Sequence, residues 1–151
     1  MYFNKEIVLL NFDGNSKEEA LRVLSDYFIK YGLVTSDFYE GIISRESNFP
    51  TGLFVNGTGV AIPHTDSEKV KHSQIGFMSL KKPVKFRDMA NKDNEIDVSL
   101  IFMLALKKSD EQLSMLQKLV DLFQNERLVN QLKECTSRIE FKNIMKNAEI
   151  E

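Results

Sequence analysis

The chain has 151 residues, of which 42% are hydrophobic and 28% charged, with 20 basic against 22 acidic side chains. This length and mix can bury the core of one compact domain, expected to span 1–151, and they exclude a disordered or fibrous chain. The net charge of -2, without any basic stripe, excludes a nucleic-acid backbone as the partner.

Cys135 is the one cysteine, so no internal disulfide forms and a reducing compartment is allowed. The opening residues lack a basic segment followed by a long apolar one, so no signal peptide is expected. The longest apolar run, Leu100 to Leu106, falls far short of the roughly 20 residues that cross a bilayer. A cytoplasmic protein is expected.

Residues 3–12 predict a strand or an irregular edge segment. Ser16-Lys17-Glu18-Glu19 reads as a capping box. Behind it Ala20, Leu21, Leu24, Phe28 and Ile29 recur at helical spacing, and Gly32 is a natural stop. A second helix is expected from Thr35 or Ser36, carrying Phe38, Tyr39, Ile42 and Ile43 and ending before Pro50. In the stretch 51–64, Gly52, Gly57 and Gly59 permit turns and close backbone approach. Val60-Ala61-Ile62 forms a very short strand, and Pro63 stiffens its end just before His64.

Residues 74–80 read as the next strand, and Lys82-Pro83-Val84-Lys85-Phe86 as a turn followed by a short extended piece. Asp93-Asn94-Glu95 is turn-like. Val98 to Leu106, apolar except at Ser99, predicts a core strand buried on both faces. Ser109-Asp110-Glu111-Gln112 reads as a second capping box, with Leu113, Leu116, Leu119, Val120 and Phe123 facing inward. Asn125 interrupts this helix, a short one follows over 126–132, and Ser137 caps the last, which carries Ile139, Phe141 and Ile144. Helices, then strands, then helices predict an α/β fold: a small mixed sheet between two helical layers.

Two histidines and one cysteine are too few for the usual zinc sites, and His64 and His72 share no metal spacing. Phosphate-loop, dinucleotide and serine-hydrolase signatures are absent. His64 stands apart because ligands of open α/β sheets gather at strand ends. A neutral imidazole is nucleophilic near pH 7, and a phosphoryl group on ring nitrogen is labile enough to be passed on. Residue pattern alone leaves a loop histidine as the other reading. Arg45, in a predicted helix end, could grip phosphoryl oxygens or simply favour a helix C-terminus. Gln112 could donate to a phosphoryl oxygen or serve the cap. His72 reads as a surface residue. Asp66 and Glu68 would repel a phosphate if they faced His64, or could polarise its ring or contact a partner.

The string Gly57-Thr58-Gly59-Val60-Ala61-Ile62-Pro63-His64 resembles the active-histidine segment of type-2 EIIA domains of the bacterial sugar phosphotransferase system (PTS), the fructose and mannitol group. Ser44-Arg45-Glu46-Ser47-Asn48-Phe49-Pro50-Thr51-Gly52-Leu53 resembles that family's arginine segment, and the likeness extends through residues 94–106 into the last helices. It implies a phosphotransferase without cofactor. The phosphocarrier protein HPr would donate to His64 Nε2, with the other ring nitrogen held by a carbonyl or side chain. Arg45 and Gln112 would stabilise the transferring oxygens. An EIIB component, by a cysteine in the galactitol group, would accept, and the sugar would bind the membrane EIIC component. Leu53, Phe54 and Val55 are candidates for the docking rim.

Two residues depart from the family pattern. Thr65 stands where a small residue usually follows the histidine, and Gln112 stands where a second histidine is common. Gln112 and the stretch 93–100 resemble the galactitol branch most. A regulatory protein of the same fold, signalling by its phosphorylation state, or a fructose-specific member is the alternative.

Overall fold

A computed structural model describes residues 1–151. Five strands and five helices follow in the order β1 (Val8–Phe12), α1 (Lys17–Lys30), α2 (Phe38–Asn48), β2 (Gly52–Val55), β3 (Thr58–Ala61), β4 (Gln74–Arg87), β5 (Glu95–Ala105), α3 (Ser109–Phe123), α4 (Glu126–Glu134) and α5 (Arg138–Asn147). The strands form one mixed sheet in the order β1-β4-β5-β3-β2. β1 runs parallel to β4 and β3 parallel to β5, while the β4–β5 and β2–β3 pairs are antiparallel. No helix is long and apolar enough to cross a membrane.

Strand β5 shows why helices cover both faces. Successive side chains of a strand point to opposite sides. Leu100, Phe102 and Leu104 join a core with Leu119, Phe123, Leu132 and Phe141 of α3, α4 and α5. Ile101, Met103 and Ala105 join the opposite core with Leu21, Leu24, Phe28, Phe38 and Ile42 of α1 and α2. The expected three layers are present, and the central strand is the apolar run.

Helix ends follow local chemistry. Ser16 Oγ accepts the Glu19 N–H at 3.1 Å, Ser137 Oγ accepts the Glu140 N–H at 3.1 Å, and Asn125 caps α4 by accepting the Leu128 N–H at 3.2 Å. Such a cap is worth about 1 kcal/mol. The second expected capping box is not formed. Extended Lys108 holds the cap position, and Ser109 is already helical. The inward face of α3 also differs from expectation. Met115, Leu119, Leu122 and Phe123 are buried, whereas Leu113 and Val120 are exposed.

Two strands differ as well. The expected turn at Lys82-Pro83 lies inside the single long strand β4. Register slips between the pairs Ser79–Leu100 and Val84–Val98, so the segment around Pro83 bulges out. Pro83 has no N–H to give, and a bulge needs none there. Strand β2, not foreseen, pairs with β3 through a two-residue turn, Asn56-Gly57, with φ of 51° and 81°. Positive φ at both turn residues is the hairpin geometry that Asn-Gly favours.

Gly59 lies where the backbone of β3 packs directly against that of β5. A Cβ there would lie 1.8 Å from the Asp97 carbonyl oxygen. Gly59→Ala is expected to destabilise the fold by about 3 kcal/mol, lowering Tm by roughly 6–12 °C at this size. Gly57→Ala meets no atom within 4 Å and carries only left-handed strain, so its cost is about 1 kcal/mol. Thermal melting of the two variants checks the contrast.

Candidate functional site

His64 sits where β3 leaves the sheet. The Leu104 N–H donates to the Pro63 carbonyl at 3.0 Å, and His64 pairs with Leu104 in one further parallel bridge. The stiff exit expected from Pro63 is therefore held by the central strand. The half-buried ring places Nδ1 2.8 Å from the Ile62 carbonyl oxygen. A carbonyl can only accept, so Nδ1 carries the proton and the neutral ring keeps its lone pair on Nε2.

Burial pushes the His64 pKa below the ordinary 6.5. The Ile62 carbonyl acts the other way, and the Arg45 charge lowers it further. The site thus favours the neutral ring. An NMR titration of His64 is expected to give a midpoint below 6.5. The unfolded ring protonates first as pH falls, so His64 withdraws folded stability as pH drops from 6.5 through the folded midpoint, and no more below it. A midpoint at or above 6.5 would contradict this environment.

Arg45 lies in the last turn of α2, and its charge reaches the His64 ring. Its guanidinium carbon stands 4.7 Å from the centroid of the Phe49 ring, which is exposed. It makes no ion pair with any carboxylate, and its buried Nε has no hydrogen-bond partner. A buried donor left without a partner needs a reason, because most buried polar groups in folded proteins are paired. An anion bound beside His64 would supply that partner.

Its neighbour Glu46 points into the protein and is 2% exposed. Glu46 Oε2 accepts the Thr51 N–H at 2.8 Å, and Oε1 accepts the Thr51 hydroxyl at 2.9 Å. The Thr51 Oγ1 in turn accepts the Ile62 N–H at 3.2 Å. Burial pushes the Glu46 pKa up, against the two Thr51 bonds that lower it.

The Arg45 charge acts on the His64 ring, while Gln112 and His64 share no hydrogen bond. Gln112 follows β5 at the sheet end where His64 emerges, since β3 and β5 run parallel. Its N–H donates to the Lys108 carbonyl at 3.0 Å inside the helix. The exposed carboxylates of Asp66 and Glu68 act on Lys69 rather than on His64, whose ring partner is the backbone. His72 is exposed. Thr65 is buried, and its Oγ1 would lie only 2.9 Å from a Cβ at position 41, so Gly41 on α2 makes room for it. Of the expected rim residues only Phe54 is exposed, at 60%. Leu53 and Val55 pack partly against the core because β2 is a strand. Beside Arg45, an open groove of about 370 Å³ runs between α2 and the segment after His64, lined by Ser44, Asn48, Thr65 and Lys69 among others.

No group of three or more His, Cys, Asp or Glu side chains is placed to hold a metal ion. Arg45 offers a positive charge to a neutral His64 ring whose Nε2 lone pair is free, and Phe49 stacks on the guanidinium.

The family described as "Phosphoenolpyruvate-dependent sugar phosphotransferase system, EIIA 2" matches residues 1–148. The chain is 29% identical to the galactitol-specific EIIA component of Escherichia coli K12 over 116 residues, 77% of each chain. It is 28% identical to the ascorbate-specific EIIA component of Salmonella typhimurium over 129 residues, 85% of this chain and 81% of that one. Among solved structures, its fold is similar to the mannitol enzyme IIA in the Escherichia coli complex with phosphorylated enzyme IIB. The TM-score is 0.76 at 20% identity, covering 94% of this chain and 95% of that one.

Proposed function

The chain belongs to the EIIA 2 family of the phosphoenolpyruvate-dependent sugar phosphotransferase system, and from that membership we propose that His64 is the residue through which it carries a phosphoryl group. The single observation behind this reading is the 2.8 Å contact of Nδ1 with the Ile62 carbonyl, which leaves the Nε2 lone pair free beside an unpaired Arg45.

The step balances without a cofactor. His64 Nε2 attacks the phosphorus of phosphohistidine on HPr. The Nε2–P bond forms as the donor's N–P bond breaks, and that electron pair stays on the donor nitrogen. The proton remains on His64 Nδ1, where the Ile62 carbonyl stabilises the charge the ring acquires. Arg45 gains a partner as the phosphoryl oxygens arrive, and Gln112 stands as a further donor. The second transfer repeats the chemistry toward an EIIB component, with the sugar bound by EIIC. Residues 1–151 act as one EIIA unit.

The substrate branch we favour is galactitol or a related polyol. It rests on Gln112, on the stretch 93–100, and on the 29% identity to the galactitol component. Transfer from this chain to purified EIIB proteins of different sugar branches tests it. Faster delivery to a galactitol-type EIIB than to an ascorbate-type or fructose-type one is expected, and the reverse order would overturn the branch.

A further inference from the structure

We infer that Glu46 and Thr51 form a positioning pair that fixes the proton on the His64 ring, acting through Ile62. The inference rests on the reading of His64 as the phosphoryl acceptor.

The hydrogen-bond directions leave little freedom. The Ile62 N–H occupies a lone pair of Thr51 Oγ1, so the one hydroxyl proton is free to go to Glu46 Oε1. The Thr51 N–H goes to Glu46 Oε2. The carboxylate therefore grips Thr51 at two points, across the Phe49-Pro50 turn. Thr51 then holds Ile62 from its N–H side. On the other side, Pro63 has a locked φ, and its carbonyl is bonded to the Leu104 N–H. Ile62 is anchored at both ends, so its own carbonyl stays aimed at His64 Nδ1. The N–H and C=O of Ile62 belong to different amide groups. The pair therefore works by geometry and moves no electrons.

A strap between α2 and β2 does not need a buried carboxylate. An apolar contact of similar volume serves stability as well or better. What the carboxylate adds is direction: it sets which way the Thr51 hydroxyl points and hence where a lone pair awaits the Ile62 N–H. Arg45 and Glu46, adjacent on α2, thus serve two sides of one site. Arg45 faces the incoming oxygens, and Glu46 sets the back of the ring.

The test reads the His64 tautomer from the nitrogen shifts of its ring by two-bond 1H–15N NMR, together with the rate of transfer from phosphorylated HPr. In Thr51→Val and Glu46→Gln the Nε2–H tautomer is expected to appear and transfer to slow roughly 10- to 100-fold. Thr51→Ser, which keeps the hydroxyl, returns both readouts toward wild type. Unchanged tautomer in folded Thr51→Val overturns the inference, even if transfer slows. Should Thr51→Val fail to fold, Glu46→Gln decides, since it keeps the side-chain volume and misaligns only one donor. A wild-type protein that takes no phosphoryl group on His64 would end the acceptor reading. The tautomer shift needs no phosphoryl donor and still judges the positioning pair.

Discussion

His64→Ala is expected to remain folded and to take no phosphoryl group from phosphorylated HPr. The two effects separate because the ring contributes little to the core. It is half-buried and makes one side-chain hydrogen bond, to the Ile62 carbonyl. Losing such a bond costs about 1 kcal/mol, a fraction of a domain's stability. The chemistry, in contrast, has no substitute. The one other histidine, His72, is exposed in the segment leading to β4 and has no Arg45 beside it. Circular dichroism checks the fold, and gel labelling checks the transfer. Full labelling of a folded His64→Ala protein would remove His64 from the reaction.

Arg45→Ala is expected to slow transfer by about 100-fold or more while stability changes by less than about 1 kcal/mol. Removing one preorganised donor to developing negative charge typically carries a rate effect of this order. Stability moves little because two terms oppose each other. The stacking on Phe49 is lost, worth roughly 0.5–1 kcal/mol, and the unpartnered buried Nε disappears with it. The same variant carries a diagnostic shift. Arg45 lowers the His64 pKa, so its removal raises the midpoint of the ring titration. Arg45→Lys keeps the charge and loses the planar fork, so it recovers the titration more fully than the rate. An Arg45→Ala protein with wild-type transfer kinetics would contradict this role.

Both predictions turn on features of different legibility. The apolar run of β5 told its own story, because a strand covered on two faces has no polar side to alternate with. The caps at Ser16 and Ser137 were equally plain. Ser109 offered the same local string and failed, since Lys108 took the extended cap position ahead of it. The inward face of α3 was ambiguous for a physical reason. Leu113, Met115, Leu116, Leu119, Val120, Leu122 and Phe123 cover half of the helix circumference, wider than the face that packs, so periodicity could not say which edge of the stripe stays exposed. The Asn56-Gly57 turn was a readable hairpin signal that the glycine-rich segment obscured.

At the site, residue chemistry marked His64 as unusual but left it open, and the family resemblance singled it out. The carbonyl expected behind the ring is supplied by Ile62, and Arg45 lies where its charge acts on that ring. What the sequence concealed was Glu46 and Thr51. Both stand in the arginine segment, but their bonds depend on how the chain folds around Phe49-Pro50 and on the pairing of β2 with β3. No local pattern encodes an N–H of one strand meeting a hydroxyl at the start of another. Phe49, exposed and stacked on Arg45, was hidden for the same reason.

The most direct test of the central claim is to phosphorylate the wild-type protein with labelled HPr and locate the group by peptide mass spectrometry under alkaline conditions. With only His64 and His72 in the chain, the map has two histidine positions to distinguish. The account predicts an acid-labile phosphoryl group on the peptide containing His64 and none on that containing His72. A label on His72, an acid-stable label on a hydroxyl, or no label from an HPr shown to be active would contradict it.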